Sequence, residues 1–304
     1  MTARSAGILF VLAALPARAE TADELIRKYL QQRGTDVQMA KHSELVRRYA
    51  IDLTGVIPSA ADVAALEGKS PREMFAYFKA KGALPHTRGE QPYVWVNLLL
   101  DADHFLFSNS TQFTQVRYIR EFRDQLRRLY ADGYSYRDFA RWALESQNFL
   151  SRFPSAADRA NASFFLFLGR DSLPNEVPSG NMWNGWVLRN ASIPAGQAET
   201  NADYHVYVYQ PSVCGTTLCT ARLWSKTGST PAEIIELMLA SPMFAEAAVD
   251  RYWQRLVGRP FPSNDFPDVR RELVRGFIQS GWNVNWLIEE IATSAAYTQE
   301  MMFR

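Results

Sequence analysis

The chain has 304 residues, 47% of them hydrophobic, with 33 basic against 32 acidic side chains. That length bounds one large domain or two modest ones, and the hydrophobic share is that of a globular chain that buries a core. A net charge of +1 gives no global electrostatic reason to bind nucleic acid or an acidic membrane.

Residues 1–19 read as an export signal. Arg4 supplies the positive start, Ile8 to Leu15 an apolar stretch, and Ala17-Arg18-Ala19 a small-residue cleavage site before Glu20. The apolar stretch is shorter than the roughly 20 residues that span a bilayer, and no later run reaches that length. The mature chain is therefore expected to be soluble, with no membrane span, and exported to the periplasm or cell surface. No cysteine follows the apolar stretch, so a lipid-anchored start is not expected. Cleavage after Ala19 removes Arg4 and Arg18 and turns the net charge from +1 to −1.

Residues 20–170 carry helix-start signals at a high rate. Thr21-x-x-Glu24, Ser59-x-x-Asp62, Ser70-x-x-Glu73 and Ser155-x-x-Asp158 fit the capping box or its aspartate variant. In Ser70-Pro71 a proline occupies the first helical position, where its missing N–H costs nothing. The longest predicted helix runs from about Thr111 to Ala131, with Ile119, Phe122, Leu126, Leu129 and Tyr130 at helical spacing. Arg117, Arg120, Arg123, Arg127 and Arg128 share another arc of it. Such a stripe suits an acidic partner face or anionic polymer, or is a solvated face laced by Glu121 and Asp124.

Composition changes over 171–229, where Gly, Pro, Asn, Ser and Thr appear without helical periodicity. Within this insert Tyr204-His205-Val206-Tyr207-Val208-Tyr209 is a β-type run. Its expected partner is Thr220-Ala221-Arg222-Leu223-Trp224, joined through a turn holding Cys214 and Cys219. In an exported protein that cysteine pair reads most simply as a local disulfide, closing too short a loop to add much global stability. The alternative, haem attachment or a redox pair, lacks a histidine after the second cysteine, where Thr220 stands. A long insert without helix is often where function lies, so Tyr207 and Tyr209 join Arg117, Arg120, Arg123 and Arg127 as a candidate partner surface.

Residues 230–304 return to helix. Thr230-Pro231-x-Glu233 and Ser241-Pro242 each start one, the second running to Gly258, a natural stop. Val284, Leu287, Ile288 and Ile291 form one apolar face, with Glu289 and Glu290 turned outward. Trp253, Trp282 and Trp286 are expected to pack between helices as core, the ligand platform being the less common use of such a cluster. The predicted fold is thus mainly α, a multi-helical array in two helical blocks, 20–170 and 230–304, around a small β-hairpin insert.

Two segments near the ends carry a family resemblance. Tyr49-Ala50-Ile51-Asp52-Leu53-Thr54-Gly55 with Pro58 resembles the "LYLDLTGLPPT" signature of domain of unknown function fifteen-forty-nine. Leu100 to Asn109 is similar to that domain's "LDLARYADSN" segment. Arg251-Tyr252-Trp253-Gln254 through Gly258-Arg259 resembles the "NRxWxHLFGRG" motif of domain fifteen-fifty-three. Ser280-Gly281-Trp282 and Thr293-Ser294-Ala295-Ala296-Tyr297 resemble its ending. The resemblance covers both helical blocks in order and leaves the insert unmatched. It implies an exported protein of the planctomycete cytochrome-associated kind, whose larger members often carry a c-type haem module. This chain has no C-x-x-C-H and is in a short form. His104 stands where the family has arginine, and Phe107 where it has aspartate.

No familiar catalytic motif is present: no H-E-x-x-H, G-x-S-x-G elbow, phosphate loop or dinucleotide fingerprint. His42, His86, His104 and His205 are scattered, so neither a metal nor a cofactor is expected. Asp101 and His104, three apart, could share a metal with a distant ligand, or simply hydrogen-bond along a helix. Arg48, Asp52, Asp101 and His104 form the candidate polar site, with Asp52 and Arg48 read equally as hydrogen-bonding struts that join the two blocks. The expected function is a non-catalytic interaction or structural subunit of an exported assembly, with a c-type cytochrome as a partner. The alternative is an extracellular polysaccharide-acting enzyme using acidic residues.

Overall fold

Helix starts sit where side chains can satisfy the free backbone N–H groups of the first turn. A computed structural model describes residues 20–32, 39–82, 121, 124–126, 128–130, 133–153, 155–170, 183, 186–190, 205–210, 221–223, 226–262 and 266–299. Helix α1 (Ala22–Gln32) opens on a reciprocal box: Thr21 Oγ1 accepts from Glu24 N at 3.2 Å and Glu24 Oε2 accepts from Thr21 N at 2.7 Å. α2 (His42–Thr54) stops at Gly55, whose φ of 74° is left-handed and favours glycine. The Thr54-Gly55 pair of the first motif is thus a helix terminator.

α3 (Ala60–Ala65) and α4 (Pro71–Gly82) start on the Ser59–Asp62 and Ser70–Glu73 boxes. Residues 121, 124–126 and 128–130 are helical, and Leu126 and Leu129 are buried as their spacing predicts. α5 (Tyr136–Glu145), α6 (Gln147–Arg152) and α7 (Ala156–Leu168) are capped by Ser135, Ser146 and Ser155. After the insert come α8 (Pro231–Leu239) and α9 (Pro242–Val257), each with proline in its first turn, and α9 ends at left-handed Gly258. α10 (Pro267–Gln279), α11 (Val284–Ala292) and α12 (Ala295–Thr298) complete the array.

The chain is mainly helical, as its patterning predicts, but the expected pairing inside the insert is corrected. Strand β1 (Trp186–Asn190) pairs antiparallel with β2 (His205–Tyr209), in a register that sets Trp186 opposite Tyr209 and Asn190 opposite His205. β3 (Ala221–Leu223) pairs with β4 (Lys226–Gly228) instead of with the tyrosine-rich run. The alternating Tyr and Val residues of β2 mark a strand by local preference, whereas the choice of partner is a non-local matter that patterning leaves open. β2 lies against α6, and Tyr209 is half-buried with its ring 5.8 Å from Trp186.

The two sequence blocks are one body in space. A single cluster of buried apolar side chains runs from Ala22 to Tyr297 and draws on both. α1 packs on α10, α2 on α4, α7 and α11 on α9, and α4 on α11. The apolar face predicted for α11 is buried at every position named, and Trp253, Trp282 and Trp286 pack in or against the core. Ser280-Gly281-Trp282 is a tight stop after α10, with Gly281 and Trp282 both left-handed at φ 75° and 63°. For tryptophan that conformation costs on the order of 1 kcal/mol. It is held by the indole against Phe244 and Phe277, at 5.2 and 5.5 Å, and by Tyr136 N donating to Trp282 O at 3.0 Å.

Asp62 ties α3 to α4. It accepts from Ser59 N at 2.8 Å, Tyr77 Oη at 2.7 Å and Lys81 Nζ at 2.5 Å. Burial pushes its carboxyl up, but the bonds from Lys81, Ser59 and Tyr77 outweigh burial and hold it well below the usual carboxylate range. Among the described residues no helix is long and apolar enough to cross a membrane. The expected signal over 1–19, with its cleavage site at Ala19, lies outside the described residues, as do Cys214 and Cys219.

Gly276 of α10 sits under the Trp286 indole of α11, and a Cβ there would lie 2.1 Å from Cη2 and 2.5 Å from Cζ2. Gly276→Ala gains about 1 kcal/mol of helix propensity but overpacks by about 1–3 kcal/mol. A net loss of stability is expected in urea unfolding, and a smaller loss when the same change is made in a Trp286→Leu background.

Candidate functional site

The first motif folds onto the end of the chain. Arg48, Tyr49 and Asp52 fall within one and a half turns of α2 and all three reach the α11–α12 region. Arg48 Nη1 donates to the carbonyls of Tyr297 at 2.8 Å and Gln299 at 2.9 Å, while its Nη2 donates to Glu44. Tyr49, fully buried, donates to Ala292 O at 2.7 Å. Tyr297 returns the contact, its hydroxyl donating to Asp52 Oδ2 at 2.6 Å. The Tyr49 and Tyr297 rings lie 5.2 Å apart, and Ala40 N donates to Thr298 O at 2.9 Å beside a bridge between Met39 and Gln299.

Burial pushes the Asp52 carboxyl up from its ordinary value, against the opposing pull of the Tyr297 hydroxyl and Arg48. Burial and the neighbouring Asp52 charge hold the Tyr297 phenol well above its ordinary value, and burial does the same to Tyr49. Tyr297 is therefore a donor at neutral pH and not a base. This cluster supports a joint between helices, with Arg48, Tyr49 and Tyr297 each donating across it.

Of the other residues singled out from sequence, Asp101, His104, Arg117, Arg120, Arg123 and Arg127 lie outside the described residues. For Tyr207 only the backbone position in β2 is described, opposite Leu188. Tyr209 is half-buried against Trp186 and so offers a partner less surface than an open insert was expected to give. Among the described residues no group of three or more His, Cys, Asp or Glu could hold a metal.

A second polar region lies in a cleft of about 700 Å³ between the C-terminal end of α7, one face of α9, and α10. Arg170, Arg251, Arg255 and Arg270 line it with Glu246 and Asp250, and Phe165, Met243 and Gln254 complete the wall. Its geometry starts from close helix approach. Gly169 terminates α7 in the left-handed conformation, and a Cβ there would lie 3.3 Å from Ala247 Cβ. Arg251 then reaches across to donate to Leu166 O at the end of α7 and to Tyr136 Oη at 3.4 Å. A guanidinium on helix-end carbonyls also complements the negative end of the helix dipole.

Arg270 closes the far side. It donates to Asp250 at 2.9 and 2.5 Å and approaches Glu246 at 3.4 Å. Burial raises the Asp250 carboxyl from its ordinary value, with Arg270 pulling the other way. One arginine thus serves two carboxylates, an arrangement suited to fixing α9 on α10. In the sequence Asp250, Arg251 and Arg255 stand out only as part of the second end motif and Arg170 only as the end of the first helical block, while Glu246 and Arg270 carry no expectation. The legible signal was the i, i+4 spacing of Glu246, Asp250 and Gln254, and of Arg251 and Arg255, along a helix with marked ends.

A family model described as PSCyt2, protein of unknown function (DUF1549), matches residues 21–188, a little over half of the chain. The match includes the first motif and ends before the second. No curated protein and no solved structure matches the chain.

Two outcomes follow for the joint. Arg48→Ala removes charge-assisted bonds to two backbone carbonyls and is expected to lower stability by about 2–3 kcal/mol in urea unfolding. Because the folded pKa of Asp52 lies above its unfolded value, the native state holds that proton more tightly. Its contribution is therefore most favourable below the ordinary carboxylate pKa and is lost as pH rises toward the raised native value. Asp52→Asn should gain on wild type over that interval, read as a difference in Tm that grows with pH and then levels off.

Proposed function

This chain belongs to the PSCyt2 family of proteins of unknown function, and from that premise we propose that it is a non-catalytic interaction or structural subunit of an exported assembly with a c-type cytochrome as partner. The carrying observation is the fate of the first motif: Arg48, Tyr49 and Asp52 are bonded to the chain's own C-terminal segment. A signature that joins helices is what a binding scaffold needs, whereas a catalytic signature leaves donors and acceptors for substrate. Export rests on the Arg4, Ile8–Leu15 and Ala17–Ala19 pattern. The cytochrome partner rests on the family resemblance, including that of Arg251–Arg259 and Ser280–Trp282 to domain fifteen-fifty-three.

A polysaccharide-acting enzyme is the second reading. It draws on one observation, a cleft carboxylate, Asp250, whose pKa burial raises, since such groups cluster at active sites. Against it, Asp250 and Glu246 are both bound by Arg270.

The tagged full chain, recovered from native envelope, should begin at Glu20 on N-terminal sequencing and co-elute with a haem-absorbing protein in size-exclusion chromatography with light scattering. A solitary monomer overturns the subunit reading. Release of reducing ends from acidic or neutral polysaccharides, abolished by Asp250→Asn, would favour the enzyme.

A further inference from the structure

Helix α3 is turned inside out. Its one polar residue, Asp62, is buried and bonded to Ser59, Tyr77 and Lys81. Ala60, Ala61, Val63, Ala64 and Ala65 are exposed instead. A surface helix ordinarily does the reverse. The cause is local: Asp62 is the N3 residue of the capping box, so closing the helix start and tying α3 to α4 turns the carboxylate inward. The turn from α2 continues this surface, with Val56 56% and Ile57 71% exposed, and Ile51 stands exposed on α2 just before them. Four of the seven large apolar side chains exposed among the described residues, Ile51, Val56, Ile57 and Val63, fall in this one stretch. Such residues scattered singly need no explanation, whereas a cluster marks an interaction site.

The cluster carries both halves of a contact. Val56 and Ile57 protrude, and a side chain so exposed does not line a pocket of its own chain. Ala60 and Ala64, and Ala61 and Ala65, are small side chains paired at i, i+4, which lets another chain approach α3 closely. Charge follows the same pattern. Every exposed residue from Ile51 to Ala65 is uncharged, and the exposed charges flanking the stretch are Arg47 and Glu67. Their neighbours are paired, Arg48 with Glu44 and Lys69 with Glu73. Among the described residues neither Arg47 nor Glu67 has an ion pair. A twofold axis sets protrusion against alanine face and cation against anion, and makes each contact twice. A bilayer favours a bulky apolar face with a basic rim, and one free charge of each sign is not such a rim.

We propose that this surface is a self-association site. A second copy of the chain docks on it across a twofold axis, with Val56 and Ile57 against the alanines of the other α3 and Arg47 opposite the other Glu67. The surface offers about a dozen residues, against about 20–30 a side in a stable interface. The dimer is therefore reversible and forms at high concentration. The inference does not depend on a cytochrome partner.

Sedimentation equilibrium of the purified full chain over about 1–300 μM should show a mean mass rising toward that of two chains. Ile57→Asp/Val63→Asp should stay monomeric throughout, with an unchanged thermal melt because both positions are exposed. Arg47→Glu should weaken the dimer at least about tenfold, and Arg47→Glu/Glu67→Arg should restore it. Should the aspartate variant unfold, the charge reversal and its rescue carry the comparison. A mean mass independent of concentration, a dimer that the aspartate variant leaves intact, or a charge reversal without rescue overturns the proposal. A chain that is monomeric alone but loses pelleting with phosphatidylglycerol vesicles, or loses its haem-protein complex, through Ile57→Asp/Val63→Asp overturns it in favour of a bilayer or of that partner. A dimer formed by a chain that never binds a haem protein supports the site and refutes the cytochrome partner alone.

Discussion

The docking of α2 on the chain's last two helices is the contact on which the remaining architecture depends. Tyr49 and Tyr297 are large, almost fully buried and 5.2 Å apart, and each hydroxyl is bonded across the joint. Arg48 adds bonds to two carbonyls of the final segment. Removing aromatic area of this size from water contributes about 2–3 kcal/mol per ring, but only if the hydroxyls find partners. Ala292 O and Asp52 meet that condition, so a nonspecific apolar contact becomes one with a fixed register. Once it is made, α4 and α11 are neighbours and the two halves of the chain share one core.

The same logic explains why so much polar chemistry in this protein is structural. Asp62 satisfies a helix start and two neighbouring side chains, and Arg251 completes the end of α7. Buried polar groups without partners are expensive, and a fold made of short helices has many termini to satisfy. The cleft between α7, α9 and α10 gathers four arginines and two carboxylates where three helices converge, and the bonds of Arg251 and Arg270 there again join helices. The family match covers residues 21–188 and so includes α7, while α9 and α10, which carry three of the cleft's four arginines, lie beyond it.

How much was legible beforehand varies with the range of the interaction. The capping boxes at Thr21, Ser59 and Ser70 and the stops at Gly55 and Gly258 were readable because a cap bonds within three or four residues of itself. The buried face of α11 was readable from its spacing. Strand β2 was readable, but its partner was not: Val187 and Leu188 on one side and Arg222 and Leu223 on the other lie at comparable sequence separations, and nothing local distinguishes them. Arg48 and Asp52 could be named as struts, yet their targets, 249 and 245 residues away, could not.

By itself the sequence determined where the capped helices begin, where α2 and α9 stop, and which face α11 buries, because caps and periodicity are local and repeat every turn. Tertiary structure alone decided that Tyr297 is the residue between Arg48 and Asp52, that β2 pairs with β1, and that Arg170, Arg251, Arg255 and Arg270 border one space. Those outcomes depend on which helix faces meet after loop closure. That choice is set by the summed burial of the whole core, and no window of sequence contains it.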